Sequence, residues 1–268
     1  MSDRKGPTGH RARKRFGQNF LVDPQIIANI VAAISPRPED NIIEIGPGQG
    51  AITGPVLERG PSLQVIELDR DLVPLLREKF AQYPDLHIDQ GDALKTDFSR
   101  FYQPDRPLRI IGNLPYNIST PLLFHLLSFS AIIRDMHFML QKEVVDRLAA
   151  TPGDKLYGRL SVMVQYHSRV EPLFRVPAGA FKPAPKVESA IVRLQPHAEP
   201  PYPANDLDHM AKLVNACFQQ RRKTIRNTLK HLVDESQLTQ LDIDLSLRPE
   251  KLSVADFVRL SNQLQEVA

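Results

Sequence analysis

Short apolar runs alternate with segments of helical period along the first 150 residues of the chain. The apolar runs predict buried strands, because a strand of a covered parallel sheet faces the core on both sides. These runs are 41–45, 63–69, a short one within 86–93, 108–112 and 136–141. Segments of helical period lie at 24–34, 50–59, 70–80, 120–128 and 142–150. The alternation predicts an α/β fold with a largely parallel sheet and helices on both faces.

The pattern changes near residue 200. A further apolar run at 188–196 predicts a strand that closes an antiparallel edge of the sheet. The proline-rich stretch 196–206 is typical of a linker, and helical spacing continues beyond it. Helices are predicted there at 208–220, 221–233 and 253–265. The predicted organisation is a flexible basic N-terminal arm at 1–15, a catalytic α/β domain at 16–200 and a small all-helical domain at 201–268.

Two helix starts are marked by capping residues. Asp23 followed by Pro24 has the pattern of an N-cap with proline at the first helical position. Ser253 and Asp256 have the spacing of a capping box. These pairs predict that the first helix begins at residue 24 and that the last begins just after residue 253.

The composition excludes several classes of protein. No stretch of the 268 residues approaches the roughly 20 consecutive apolar residues of a membrane helix, and no apolar signal-peptide core is recognisable. Cys217 is the only cysteine, which excludes an internal disulfide and a cysteine-cluster zinc site. We therefore expect a cytoplasmic protein with no membrane partner and no metal, and we expect it to be a monomer.

Basic residues are unevenly placed although the net charge is only +3. Two clusters stand out: Arg11, Arg13, Lys14 and Arg15, and then Arg221, Arg222 and Lys223. Either cluster alone is typical of a solvated tail or helix face. Two clusters on a nearly neutral chain favour a polyanionic partner, and we expect both to contact its phosphate groups.

A glycine-rich segment, "EIGPGQGAIT", follows the first predicted strand of the sheet. Gly46 and Gly48 in it would let the backbone approach a ligand at the carboxyl edge of the sheet. Glu67 ends the next strand, at the spacing of an acid that binds a ribose. This pattern suits a nicotinamide dinucleotide as well as any other adenosine cofactor, so the loop alone leaves the cofactor open.

The third and fourth predicted strands narrow the choice of cofactor and reaction. Asp92 ends the third strand, where its carboxylate could accept the amino group of an adenine. The fourth strand ends in "NLPY", and this motif suits alkylation of an exocyclic amine. The amide oxygen of Asn113 and the carbonyl of Leu114 could accept the two hydrogens of N6, stabilising the charge that develops on the nitrogen. Tyr116 offers a flat face on which a base can stack.

Several segments together resemble the ribosomal RNA adenine-N6 dimethyltransferases. They are "RKRFGQNFLVD", "EIGPGQGAIT", "IELD", "QGDAL", "NLPYNIST", "HFMLQKEVVDRLAA", "YGRLSVMVQYH" and "FKPAPKVESAIVRL". The resemblance covers about Arg13 to Leu194 and is strongest to the bacterial small-subunit members. It implies a Rossmann-like class I methyltransferase domain, S-adenosylmethionine as methyl donor, and dimethylation of two adjacent adenines near the 3′ end of 16S ribosomal RNA.

The resemblance also implies roles for individual residues. It assigns the donor-facing site to Asn19, Leu21, Gly46, Glu67, Asp92 and Asn113, and Gly48 belongs to the same loop. Glu67 would hold the ribose hydroxyls and Asp92 the adenine amino group of the donor. Phe181, in "FKPAPKV", would stack on the flipped target adenine opposite Tyr116.

Three alternatives remain at this level. The relatives that act on large-subunit ribosomal RNA share the "QNFL" and "PYNIST" types of motif. A non-catalytic RNA-binding relative could keep the same fold, although intact Asp92, Asn113 and Tyr116 count against it. A nicotinamide dehydrogenase is supported by the glycine loop alone.

Overall fold

The computed structural model describes residues 18–230 and 233–266, in two compact units. The sheet unit comprises the chain up to Val145 together with Glu171–Pro196, and the helical unit comprises Asp146–Val170 together with the chain from His197 onwards. The chain passes from the sheet unit to the helical unit for the last time between Pro196 and His197, close to the predicted domain boundary near residue 200. The segment 146–170, which the prediction gave to the α/β domain, belongs to the helical unit.

The described residues form nine strands in two sheets. The strands are β1 (Phe20–Leu21), β2 (Asn41–Ile45), β3 (Ser62–Glu67), β4 (Leu86–Gln90), β5 (Leu108–Asn113), β6 (Ile133–Gln141), β7 (Ser168–Val176), β8 (Phe181–Lys182) and β9 (Ser189–Pro196). The main sheet has the order β4-β3-β2-β5-β6-β9-β7, and β1 pairs antiparallel with β8 in a small second sheet. The pairs from β4 to β6 are parallel, which confirms the predicted α/β class.

Helices connect and follow these strands. They are α1 (Pro24–Ile34), α2 (Thr53–Leu57), α3 (Leu72–Lys79), α4 (Ser119–Leu127), α5 (Lys142–Ala149), α6 (Arg159–His167), α7 (Leu207–Gln219), α8 (Ile225–Leu229), α9 (Glu235–Leu238) and α10 (Val254–Glu266). Both predicted caps are confirmed: the Asp23 carboxylate accepts from the first backbone amides of α1, and Ser253 and Asp256 form reciprocal bonds at α10. Among the described residues, no helix is long and apolar enough to cross a bilayer.

One predicted edge is wrong. The strand β9 is antiparallel to β6, as expected, but it lies inside the sheet, and β7 forms the edge beyond it. The sequence of β7, "SRVEPLFRV", escaped prediction because it carries three charged residues and a proline. Such residues are typical of an edge strand, which needs only one row of backbone hydrogen bonds.

The register of the parallel strands places three motifs side by side. Ile45 at the end of β2 pairs with Ile66 of β3 on one side and with Gly112 of β5 on the other. The residues that follow these three positions are Gly46, Glu67 and Asn113, so they meet at the same edge of the sheet.

Gly112 is required for this close approach. A Cβ atom at this position would lie 2.6 Å from the backbone oxygen of Ile45, a distance that a side chain cannot tolerate. The apolar run of β5 therefore ends in glycine at the point where β5 and β2 approach each other closely beside the site.

One predicted helix of the helical unit begins later than expected. The predicted helix 221–233 begins only at Ile225, where the side chain of Thr224 caps α8. The preceding cluster Arg221–Lys223 lies in a turn. A threonine hydroxyl that accepts from the backbone competes with continued helix, which explains why the basic cluster is left outside α8.

Candidate active site

A cavity of about 340 Å³ lies at the carboxyl edge of the parallel strands, and we refer to it as the sheet-edge cavity. Its lining comes from five stretches that are far apart in the chain. They are 18–21, 44–52 without Gly50, 66–68, 91–93 and 113–118. Ligands of open α/β sheets bind at this edge, outside the carboxyl ends of the strands. All the donor-facing residues predicted from the sequence are in this lining.

The glycine loop forms one wall with its backbone. Gly46 and Gly48 have φ angles of +64° and +58°, a region that residues with a Cβ rarely adopt. The amide of Gly46 donates to the carbonyl oxygen of Ile66, 2.9 Å away, so the loop is bonded to the neighbouring strand. A Cβ at Gly48 would lie 3.3 Å from the Phe20 ring. The loop therefore exposes backbone at a place where side chains do not fit.

Glu67 is buried at the end of β3, with its carboxylate held by backbone amides. Oε1 accepts from the amide of Asp69 at 2.8 Å, and Oε2 accepts from the amide of Gly48 at 3.2 Å. Burial raises the pKa of Glu67 to about 7, although these backbone hydrogen bonds act in the opposite direction. A carboxylate fixed in this way can accept hydroxyl groups of a ligand with little reorganisation.

Glu44 is a second buried acid in the cavity wall, and the sequence analysis missed it. It lies in β2, and its Oε2 accepts from the Thr53 hydroxyl at 2.6 Å. Burial raises the pKa of Glu44 to about 7, and the negative charge of Glu67 acts in the same direction. An acid inside the apolar run "NIIEI" was the available signal, because a buried strand carries a carboxylate only where something holds it.

Asp92 lies just after the end of β4, which is the third strand predicted from the sequence, as expected. Its Oδ1 accepts from the amide of Leu94 at 3.0 Å, and its backbone oxygen accepts from the Thr96 hydroxyl at 3.0 Å. These local bonds orient the carboxyl group within the turn that follows β4. The structure thus brings Asp92 to the same cavity as Glu67, on the adjacent strand end.

Asn113 has one end of its amide tied to the N-terminal segment. Its Nδ2 donates to the backbone oxygen of Asn19 at 3.2 Å. Because Nδ2 and Oδ1 lie on opposite sides of the amide, this bond directs Oδ1 away from Asn19. The next residue, Leu114, is 1% exposed, and its amide donates to the Met139 oxygen at 3.2 Å. The backbone of the motif is therefore anchored on both neighbouring segments.

Tyr116 is half-buried in the cavity wall, and its hydroxyl lies 2.6 Å from Oγ of Ser189 in β9. Burial raises the pKa of the Tyr116 phenol, and the hydrogen bond with Ser189 acts in the opposite direction. The phenol is therefore neutral at physiological pH, and its ring is held at the far end. Sequence reasoning did not foresee Ser189 as a partner, because 73 residues separate the two.

Of the four predicted catalytic residues, Phe181 is the one that does not line the cavity. It lies in β8 opposite Leu21 of β1, and it is 2% exposed within the core of the sheet unit. Stacking on a target base would require its ring to be uncovered, so that role stays a prediction.

The predicted phosphate contacts divide into three groups. Arg11, Arg13, Lys14 and Arg15 lie outside the described residues. In the helical unit, Arg222 and Lys223 are exposed, whereas Arg221 is engaged: its Nε donates to Glu250 Oε2 at 2.7 Å and its guanidinium donates to the Lys155 oxygen at 2.7 Å. No group of three or more potential metal ligands occurs in the part of the chain that the structure describes. The expected absence of a metal stays a prediction.

Two solved structures resemble the chain over 92% of its length. One is a dimethyladenosine transferase from Plasmodium falciparum, at a TM-score of 0.77 and 25% identity, of which 98% is covered. The other is the 23S rRNA methyltransferase ErmE, at a TM-score of 0.71 and 27% identity, of which 100% is covered. With the strand order and the cavity described above, they define a Rossmann-like, S-adenosylmethionine-dependent methyltransferase fold.

Sequence comparison narrows this class. The family described as "Ribosomal RNA adenine dimethylase" matches residues 9–266, so the chain belongs to that family. A protein named "Ribosomal RNA small subunit methyltransferase A" from Marinobacter nauticus is 61% identical over 258 residues, which cover 96% of this chain and 93% of the relative. A protein of the same name from Saccharophagus degradans is 62% identical, with 96% of each chain covered. The predicted family, fold and enzyme class are confirmed.

Proposed function

We propose that this enzyme transfers methyl groups from S-adenosylmethionine to N6 of two adjacent adenines near the 3′ end of 16S ribosomal RNA, giving N6,N6-dimethyladenosine during maturation of the small subunit. The observation that carries the proposal is that the Asn113–Tyr116 motif lines the same cavity as two buried carboxylates, Glu44 and Glu67. The names of relatives that are 61% and 62% identical support the choice of the small subunit over the large one.

The chemistry of the cavity wall fits this donor. Glu67 presents carboxylate oxygens for the ribose hydroxyls, and Asp92 presents an acceptor for the adenine amino group. The apolar residues Ile66 and Leu68 are in the same lining, and the flat base of the donor would pack against them. The backbone of the glycine loop leaves room for the aminoacyl end of the donor. When bound, the donor supplies an electrophilic methyl group.

The Asn113–Tyr116 motif would activate the target amine. The N6 nitrogen of adenine is a weak nucleophile because its lone pair is delocalised into the ring. Acceptors aimed at its two hydrogens favour a pyramidal nitrogen and stabilise the positive charge that develops on alkylation. Oδ1 of Asn113 is oriented for this role by the bond from Nδ2 to Asn19, and the Leu114 carbonyl would be the second acceptor.

Binding of the target base would use aromatic stacking. The ring of Tyr116 is in the lining of the cavity, and an extruded adenine could stack on it. Phe181 would form the opposite face only after a local rearrangement, since it is buried in this structure. Stacking on aromatic rings is tolerant of sequence, so the choice of adenine would come from the acceptors at Asn113 and Leu114.

RNA would be held by exposed basic residues. In the helical unit Arg222 and Lys223 are exposed and suited to phosphate contacts, and the N-terminal cluster Arg11–Arg15 is proposed for the same role. Arg221 is paired with Glu250, so we assign it a smaller part in binding than its neighbours. We also propose that the enzyme acts as a monomer in the cytoplasm.

The test is transfer of labelled methyl groups to small ribosomal subunits that lack the modification, followed by mapping of the modified nucleotides. We expect two methyl groups on each of two adjacent adenines of 16S RNA. Incorporation into large-subunit RNA alone would establish the large-subunit alternative. Donor binding without transfer to either subunit would establish a non-catalytic relative, and binding of NAD in place of S-adenosylmethionine would overturn the choice of cofactor.

A further inference from the structure

Ser189 is a buried residue outside the lining of the sheet-edge cavity, and its side chain contacts the proposed stacking residue Tyr116. It is the first residue of β9 and is 0% exposed. Its Oγ lies 2.6 Å from the hydroxyl oxygen of Tyr116, and either atom can be the donor. A hydrogen bond of this length between a buried hydroxyl and a phenol restricts the ring at the end farthest from its Cβ.

The backbone around Ser189 is fixed on both sides. Ser189 pairs with Gln141 at the end of β6, where β9 and β6 run antiparallel. The residue before it, Glu188, accepts at its carbonyl oxygen from the amide of Lys142 at 3.0 Å. The serine hydroxyl is therefore placed by strand pairing, and it can transmit that rigidity to the Tyr116 ring.

The motif of which Tyr116 is part is tethered at both ends by side chains. Asn113 at one end donates to the backbone of Asn19, and Tyr116 at the other end bonds with Ser189. Pro115 between them restricts its own φ and the conformation of Leu114. The Tyr116 side chain can still rotate about its Cα–Cβ bond, and the bond to Ser189 opposes that rotation because it holds the hydroxyl end of the ring.

We propose that Ser189 is a positioning residue, which holds the hydroxyl end of the Tyr116 ring and so fixes the place at which the target adenine stacks. This inference rests on the proposed function of Tyr116 as the stacking platform. Ser189 would not touch the RNA or the methyl donor. Its effect would be seen on the rate at which the extruded base reacts, because a ring that moves away about its Cα–Cβ bond presents the stacking face for only part of the time.

A double-mutant cycle tests the inference. Ser189→Ala and Tyr116→Phe each remove one oxygen atom and leave the ring in place. We expect each single variant to lower kcat on unmodified small subunits about three- to tenfold, as for loss of one hydrogen bond. The affinity for S-adenosylmethionine, measured by calorimetry, should stay within about twofold. The double variant should be no slower than the slower single variant, because both changes remove the same contact.

Ser168 provides a matched control. It is 1% exposed and is the first residue of β7, and within the described residues its hydroxyl has no hydrogen-bond partner. Ser168→Ala should leave kcat unchanged, and Ser189→Thr, which retains a hydroxyl, should recover most of the lost rate. If Ser189→Ala is unstable, Tyr116→Phe still reports the loss of the contact with the serine intact.

Two results would overturn the inference. The first is multiplication of the two single effects in the double variant, since independent effects mean that Ser189 does not act through Tyr116. The second is a fall in donor affinity as large as the fall in kcat, which would show a general distortion of the site. Failure of the proposed function is distinguishable, because the wild-type enzyme would then transfer no methyl groups to small subunits.

Discussion

The sheet-edge cavity and the basic turn at Arg221–Lys223 present polar groups in opposite ways. In the cavity, Glu67 is 5% exposed and receives two hydrogen bonds from backbone amides. In the turn, Arg222 and Lys223 are exposed, whereas Arg221 is paired with Glu250. A buried polar group held by the backbone contributes a large and specific energy to ligand binding. An exposed charge contributes a small, additive energy that decreases as the salt concentration rises. The two regions should therefore respond differently to substitution.

The largest effect should come from Asn113→Ala. Loss of one preorganised polar group at the reacting atom should lower the methylation rate on the order of 10²-fold or more. Donor affinity should fall much less, because the other donor-facing groups remain. Single-turnover transfer and calorimetry measure the two quantities. Asn29→Ala removes the same amide from the exposed face of α1 and should change neither. A variant at Asn113 that reacts at the wild-type rate would exclude it from the chemistry.

The next effect should be on donor binding. Glu67→Ala removes a charged acceptor worth about 1.5–3 kcal/mol, so S-adenosylmethionine should bind roughly 10- to 150-fold more weakly. Calorimetry on the folded variant measures this. Glu78→Ala, on the exposed side of α3, removes an equal charge without touching the cavity and should have no effect. Unchanged affinity in the Glu67 variant would remove this residue from the donor site.

Dependence on pH should distinguish the cavity from the turn. Burial raises the pKa of Glu44 and of Glu67 from 4.5 to about 7. Between these values the folded protein without ligand keeps protons that the unfolded chain has lost. These two groups therefore make its stability fall as pH rises from 4.5 to 7, and their contribution is constant above 7.

Binding of a cationic donor has the opposite dependence. The donor favours the ionised carboxylates, so its affinity should rise by up to about tenfold per pH unit below 7 for each acid that ionises on binding, and level off above. Calorimetry in buffers of different ionisation enthalpy should show protons released on binding at pH 6. The absence of proton release, with affinity flat from pH 5.5 to 8, would contradict a role for either acid in donor binding. In the variant Glu67→Gln, the donor affinity should retain only the dependence on pH that comes from Glu44.

The smallest effects should come from the basic turn, and they should depend on salt. The double change Arg222→Ala with Lys223→Ala should reduce the slope of log affinity against log salt by about 1.4–1.8, as for loss of two phosphate contacts. Adding Arg221→Ala should reduce the slope by much less than one further contact, because that side chain pairs with Glu250. Salt titrations of subunit binding measure all three proteins. Parallel lines for the wild type and the double variant would show that the turn does not touch RNA.

Local signals in the sequence predicted most elements of the sheet unit. Apolar runs gave β2 and β5 within one residue of their observed bounds, because a strand buried on both faces forms a mostly apolar run that stands out from the polar segments beside it. Asp23 and Pro24 marked the start of α1 at its observed residue. Prediction was weaker for β7 and α8, where the pattern was polar and the outcome depended on the neighbouring elements.

The sequence by itself determined the α/β class and the family, and it predicted donor-facing residues that line one cavity, although it did not predict Glu44 there. These follow from local periodicity and from motifs in which glycine, acid and amide types are required at fixed spacing. Only the tertiary structure decided how those residues are held. Strand register brings Gly46, Glu67 and Asn113 together, burial changes the proton affinity of Glu67, and Ser189 reaches Tyr116 across 73 residues of chain. Contacts and burial between distant segments depend on how the whole chain packs, so no local pattern encodes them.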